Sequence, residues 1–138
     1  MRVDQNITYR IGYPLNVDQY RDLLNASTLG ERRPVNEPDK LAAMLRHANL
    51  LITAWDGDVL AGASRCLSDF STVTYCADLC VRLDYQNRGI GKQLLLETLN
   101  AGGCRIVLLS APKAVDYYPR TGMEKHPSAW ISTDRGIV

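Results

Sequence analysis

The chain alternates short β-patterned runs with segments whose apolar residues recur at helical spacing. Ile7 to Leu15 opens on Ile7, Thr8 and Tyr9 and closes at Pro14, which predicts a first strand. Asn16 and Gln19 have capping-box spacing, and Val17, Tyr20, Leu23 and Leu24 form one apolar stripe behind them. Thr28 to Glu37, with Gly30, Arg32, Arg33 and Pro34, reads as a loop. Pro38 then starts a second helix carrying Leu41, Met44, Leu45 and Ala48 at i, i+3, i+4 and i+7. Leu50 to Trp55 and Val59 to Cys66 flank Asp56-Gly57-Asp58, a hairpin signal.

A longer strand is predicted from about Thr72 to Leu83. Its odd positions are mainly apolar, whereas Thr72, Thr74, Cys76, Asp78, Cys80 and Arg82 are polar or small. Period two therefore predicts that Asp78 points away from the main apolar face. A helix from about Ile90 to Ala101 ends at Gly102-Gly103, and Arg105 to Ala111 has the look of a buried strand. Pro112 to Gly122 reads as a short helix broken by Pro119, and Ala129 to Thr133 as a final strand. This order describes an α/β (α+β) fold: a mixed, mostly antiparallel twisted sheet with helices on both faces.

Composition narrows the class. The 138 residues suit one domain spanning 1–138, and 46% hydrophobic with 22% charged residues is ordinary for a globular chain. Sixteen basic against fifteen acidic residues leave a net +1, which disfavours a protein living on non-specific nucleic-acid binding. No apolar run reaches membrane-spanning length and no leader-like stretch follows Met1, so a cytoplasmic protein is expected. Cys66, Cys76, Cys80 and Cys104 lie in or beside apolar segments without C-x-x-C or zinc spacing to His47 or His126. They read as reduced, buried thiols, and no metal site is expected.

The chemistry concentrates in Gln86-Asn87-Arg88-Gly89-Ile90-Gly91-Lys92, between the long strand and the next helix. Glycines at a helix N-terminus bring unpaired N–H groups close to an anion, although a ligand-free tight turn has the same composition. A Rossmann loop requires Gly or Ala where Leu94 stands. A P-loop requires Gly at Gln86 and Ser or Thr at Gln93. Neither fits.

The segment matches Q/R-x-x-G-x-G/A, and Ala114 to Met123 is similar to A-x-x-x-Y-x-x-x-G-F, with Tyr118 and Gly122 in register. On these two motifs, and on the element order around them, the chain resembles the GNAT superfamily of acetyl-CoA-dependent N-acetyltransferases over nearly its full length. Ala111-Pro112-Lys113 and His126 to Trp130 further resemble small bacterial members. The resemblance implies that Gln86, Asn87, Arg88, Gly89, Ile90, Gly91 and Lys92 form the cradle for the CoA pyrophosphate. It also implies that the main chain at Leu79, Cys80 and Val81 holds the pantetheine arm. Arg88 and Lys92 either add charge there or are solvated residues at a helix start.

Acetyl transfer to a primary amine needs a free amine and a proton for the departing thiolate. An alkyl amine with a pKa near 10.4 is about 3.4 units on the protonated side at pH 7, a cost of about 4.6 kcal/mol. Asp78 is the candidate general base, direct or through water, or else the partner of a nearby arginine. His126 is an alternative base or a structural histidine. By the resemblance Tyr118 is the general acid, with adjacent Tyr117 as a core residue. Arg32 and Arg33 lie in the loop that in this family helps form the acceptor site, and are either a clamp for an acceptor carboxylate or phosphate or a solvated pair.

Three positions depart from the family pattern. Ala111 replaces an asparagine that contacts the cofactor, Pro119 follows Tyr118, and Met123 replaces an aromatic. The implied activity is acetyl transfer from acetyl-CoA, as co-substrate, to a small molecule or peptide, by a monomer or homodimer. A non-catalytic acyl-CoA sensor would keep the cradle without needing Tyr118.

Overall fold

A computed structural model describes residues 6–132. The first five residues, read above for a leader, and Thr133 lie outside the described residues. Five strands, β1 (Ile7–Ile11), β2 (Leu50–Asp56), β3 (Val59–Ser68), β4 (Val73–Val81) and β5 (Arg105–Leu108), form one sheet in that order. The first three pairings are antiparallel, and β4 pairs β5 in parallel. Helices α1 (Val17–Ala26) and α2 (Pro38–His47) precede β2, and α3 (Ile90–Gly102) makes the β4-to-β5 crossover.

Local chemistry sets most of these boundaries. The Asn16 side chain accepts from Gln19 N–H at 2.8 Å and Gln19 returns the bond at 2.9 Å, completing the expected capping box of α1. Pro38 sits in the first turn of α2. The β2–β3 hairpin turns at Gly57-Asp58, with Gly57 at φ 58°. β1 stops at Ile11 rather than Leu15, because Gly12 takes a φ of 70° that ends the extended run.

Two apolar layers flank the sheet. On one face Ile52, Ala54, Ala61, Cys66 and Cys76 pack beneath Ile90 and Leu94 of α3. On the other, Trp55, Leu60, Ala63 and Cys80 pack against Tyr20, Leu23 and Leu24 of α1 and Leu41 of α2. Cys66, Cys76 and Cys80 are buried free thiols, and Cys104 is half-buried.

The long strand departs from its sequence pattern. Thr74, Cys76, Asp78 and Cys80 are its buried positions, and the odd residues are the partly exposed ones. Cys66 pairs with Cys76 but Arg65 with Asp78, so Ala77 is an extra residue in β4. One extra residue reverses the facing of everything beyond it. Cys76 therefore faces α3, while Asp78 and Cys80 face α1. Asp78 is 1% exposed, so the expectation that it would lie off the packed face is corrected.

Three further expectations change. β5 ends at Leu108, and as an edge strand it alternates exposed and half-buried residues instead of being buried. Pro112 to Gly122 forms two 3-10 turns, Pro112–Ala114 and Tyr118–Thr121, because Pro119 supplies no N–H to an α-helical ladder. Ala129 to Ser132 carries no strand.

Close packing at Gly62 gives a stability test. A Cβ built there meets the Cys80 carbonyl oxygen at 2.8 Å and Leu94 Cδ1 at 3.1 Å. Gly62→Ala should cost about 1–3 kcal/mol in urea unfolding, since backbone rather than a side-chain tip must yield. An unchanged midpoint would show that β3 and β4 relax freely.

Candidate acetyl-CoA and acceptor site

The extra residue in β4 also opens the sheet. β4 and β5 pair only from Val73 with Arg105 to Cys76 with Leu108, and beyond that point no ladder joins them. Arg82 N–H donates to the Ala61 carbonyl, so Asp78 and Cys80, at the same parity, direct their main-chain groups toward β3. Those of Leu79 and Val81 consequently point to the opposite edge, where β5 has turned away. A cavity of about 490 Å³ lies in this opening, bordered by Ala77, Leu79, Leu108, Ser110, Ala111 and Tyr118, among others.

Beyond the opening, the chain of β4 runs on into the glycine loop. A 3-10 turn, Leu83–Tyr85, follows β4, and Gln86 Nε2 donates to the Val81 carbonyl at 3.0 Å. The first side chain of the motif thus fastens the loop to the strand, a role its spacing alone did not reveal. Asn87 and Gly89 adopt φ values of 61° and 79°, turning the chain so that α3 begins at once. Gly89 caps α3 without any side-chain hydrogen bond, and the Gly89 carbonyl accepts from Gln93 N–H at 3.0 Å. The N–H groups of Ile90, Gly91 and Lys92 therefore have no partner within the helix. Lys92 is exposed, and the Arg88 guanidinium lies 4.7 Å from the Tyr85 ring centre. The Tyr85 hydroxyl donates to Asp56 at 2.6 Å, so this loop is anchored on both sides.

The two adjacent tyrosines separate in role. Tyr118 borders the cavity and is half-buried, and burial pushes its hydroxyl pKa well up. It stays protonated at neutral pH, as a proton donor must. Tyr117 packs edge-on against it, with ring centres 5.3 Å apart, and its hydroxyl lies 2.6 Å from where a Cβ on Gly91 would stand. Any larger residue at position 91 would have to displace Tyr117.

At one end of the cavity lies a buried ionic cluster. The Asp78 carboxylate accepts from Arg33 Nε and Arg65 Nε, each at 2.6 Å, and from the Tyr20 hydroxyl. Arg33 also donates to the Ala77 carbonyl at 2.9 Å, and Arg65 to the Met44 carbonyl at 3.2 Å. Burial alone would raise the Asp78 pKa, but the hydrogen bond and charge of Arg65, with Tyr20 and Arg33, hold it below the ordinary carboxylate range. A carboxylate so held is a poor proton acceptor at neutral pH. Of the two roles open to Asp78, these contacts favour the arginine partner. Arg65 and Tyr20 were not singled out in the sequence. Their signal was one charge inside the apolar run Val59 to Cys66 and one hydroxyl inside an apolar helical stripe.

Of the remaining candidates, Arg32 borders the cavity beside Arg33. His126 is exposed, accepts from Ser128 N–H at 3.0 Å, and does not border the cavity. Among the described residues, no cluster of His, Cys, Asp or Glu can hold a metal, and no helix is long and apolar enough to cross a membrane.

The cluster predicts an acid dependence of stability. The folded pKa of Asp78 lies below its unfolded value near 3.9, so its contribution is present above about pH 4 and fades as the pH falls further. Asp78→Asn should lower stability at pH 7 by about 3–5 kcal/mol, because the buried Arg65 and the half-buried Arg33 lose their counter-charge. Urea titrations from pH 7 to pH 3 should show the gap to wild type narrowing. A gap independent of pH would place the loss in packing.

Comparisons with known proteins give this geometry its context. The family model described as the acetyltransferase (GNAT) family matches residues 17–123. A GNAT family acetyltransferase from Streptococcus pneumoniae is 24% identical with a TM-score of 0.70, covering 93% of this chain and 99% of its own. An aminoglycoside acetyltransferase from an uncultured soil metagenomic sample is 20% identical at a TM-score of 0.66, covering 96% and 99%. An aminoglycoside N-acetyltransferase in complex with CoA is 17% identical at 0.69, covering 94% and 95%. At such identities these structures share the fold and establish nothing about the acceptor. No curated protein shows a significant match. The family match spans most of the chain, from the first turn of α1 to the residue after Gly122, and contains both the glycine loop and Tyr118: this protein belongs to the GNAT acetyltransferase family.

Proposed function

We propose that the protein, as a single acetyltransferase domain spanning 1–138, transfers the acetyl group of acetyl-CoA to a primary amine. The observation that carries this reading is that β4, whose edge opens at Leu79 beside Tyr118, runs on through the glycine loop into the uncapped N-terminus of α3.

Each part of the path suits one part of the co-substrate. Unpaired N–H groups at Ile90, Gly91 and Lys92 and the positive end of the α3 dipole fit a pyrophosphate. Arg88 and Lys92 add positive charge beside it. The edge groups of Leu79 and the N–H of Val81 fit the amides of a pantetheine arm, which would complete the interrupted sheet as a strand does. Cys80 lies between them, but its main chain is engaged with β3 and its side chain faces α1. Gln86 contributes by fixing the Val81 carbonyl to the loop.

Chemistry then needs few groups. The amine nitrogen bonds to the thioester carbonyl carbon, the C–S bond breaks, and the Tyr118 hydroxyl gives its proton to the leaving sulfur. The proton lost from the amine goes to water. Asp78, with its pKa pulled down and its oxygens engaged, holds Arg33 and Arg65 in position rather than taking that proton. The enzyme therefore draws on the unprotonated fraction of its acceptor.

Two measurements test this reading. With a productive amine, free-thiol release should give a kcat/KM that rises about tenfold per pH unit up to the acceptor's own pKa. A plateau set by an enzyme group nearer neutrality would restore a protein base. Tyr118→Phe should lower turnover at least about tenfold while acetyl-CoA still raises the melting temperature, and Tyr117→Phe should lower it far less. Unchanged turnover in Tyr118→Phe would remove that hydroxyl from the mechanism. Tight CoA binding without turnover on a broad amine panel would instead favour an acyl-CoA sensor.

A further inference from the structure

The acceptor end of the cavity is walled by guanidinium groups. Arg32, Arg33 and Arg65 border it, with Asp78 as the carboxylate among them. Two of the three are spoken for. Arg33 binds Asp78 through Nε, the Arg32 carbonyl through Nη1 at 2.9 Å and the Ala77 carbonyl through Nη2. Arg65 binds Asp78 and the Met44 carbonyl.

Arg32 differs from both. Its side chain makes no hydrogen bond or ion pair among the described residues, and it is exposed at the cavity wall. Its acidic neighbour Glu31 faces Lys113 at 3.5 Å instead. The Arg33 bond to the Arg32 carbonyl and the burial of Gly30 fix the backbone that presents this guanidinium. Beside it the wall is apolar: Leu67 and Tyr75, cross-strand partners on β3 and β4, are both partly exposed on the cavity side, and Leu109 lies next to them.

We propose that the acceptor is a primary amine on an anionic body, its carboxylate or phosphate paired with Arg32 and its apolar part laid on Leu67 and Tyr75. This rests on the acetyltransferase reading and names the substrate class it leaves open. A free guanidinium offers a fork of donors matched to two oxygens of such a group. The local excess of guanidinium charge repels a body carrying several ammonium groups. The same charge favours the unprotonated form of an incoming amine, which a site without an available base requires. Polycations of the aminoglycoside kind are therefore poor acceptors here, although some of the structures similar in fold are aminoglycoside acetyltransferases.

The test pairs acceptors with and without the anion, each rate being expressed per unprotonated amine because the amine pKa differs within a pair. Amino acids of graded side-chain size are assayed against their carboxamides, an aminoalkyl phosphate against the parent amino alcohol, and an aminoglycoside alongside. In productive pairs the anionic member should have a kcat/KM about tenfold or more higher, with larger apolar side chains better. The amino-acid and phosphate arms identify which oxyanion is preferred. Arg32→Gln should raise KM for that acceptor by about tenfold or more with kcat little changed, and leave the KM for acetyl-CoA unaltered. A carboxamide or aminoglycoside equal to or better than the anionic acceptor overturns the inference, as does an Arg32→Gln variant that keeps the preference or weakens acetyl-CoA instead. Failure of CoA and acetyl-CoA to shift the melting temperature would instead overturn the acetyltransferase reading itself.

Discussion

A single extra residue in β4, Ala77, and the ionic cluster that fastens it determine where this molecule is open and where it is closed. The bulge sends Asp78 to the α1 face, where the Tyr20 hydroxyl and two arginines close around it. Arg65 comes from the neighbouring strand, Tyr20 from α1, and Arg33 from the chain that follows α1. Arg33 also binds the Ala77 carbonyl, so the bulge itself is fastened to the cluster. Buried charges of this kind are costly unless every partner is present. The cluster therefore behaves as one unit, tying helix, loop and two strands to the point where the sheet divides.

The division has a chemical consequence. An intact parallel ladder would occupy the edge-facing main-chain groups of Leu79 and Val81; with β5 ending its pairing at Leu108, Leu79 borders the cavity and the Val81 carbonyl is taken by Gln86 instead. At the far end, α3 starts on Gly89 with no side chain closing its N-terminus. The two features are joined by Gln86, which spans from the loop to the Val81 carbonyl. The near-neutral composition is no obstacle to the proposed polyphosphate ligand, because oriented N–H groups at a helix start attract an anion without adding basic residues.

Much of the fold was legible because its elements follow simple periods. The capping box at Asn16 and Gln19, Pro38 at the start of α2 and the turn at Gly57 each formed where local chemistry placed them. The place of the glycine loop between β4 and α3 was equally legible, since Gly89 and Gly91 mark a tight turn into a helix start. The face of Asp78 was not legible. Alternation gives the parity of a strand but carries no mark of an inserted residue, and Ala77 looks like any other small residue in an apolar run. The length of β5 and the lack of a strand at Ala129 to Ser132 were illegible for a related reason: apolar residues are present, but no neighbouring strand pairs with them. The partners of Asp78 lie 13, 45 and 58 residues away, so only the folded chain brings them together.

The most direct test of this account is to follow backbone amide resonances while CoA is added. The largest saturable shifts should fall on Leu79 and Val81 and on the run from Asn87 to Lys92, with Tyr118 responding when acetyl-CoA replaces CoA. Saturable shifts confined to other surfaces, with β4 and the start of α3 unmoved, would contradict the proposal that the divided sheet is the acetyl-CoA site.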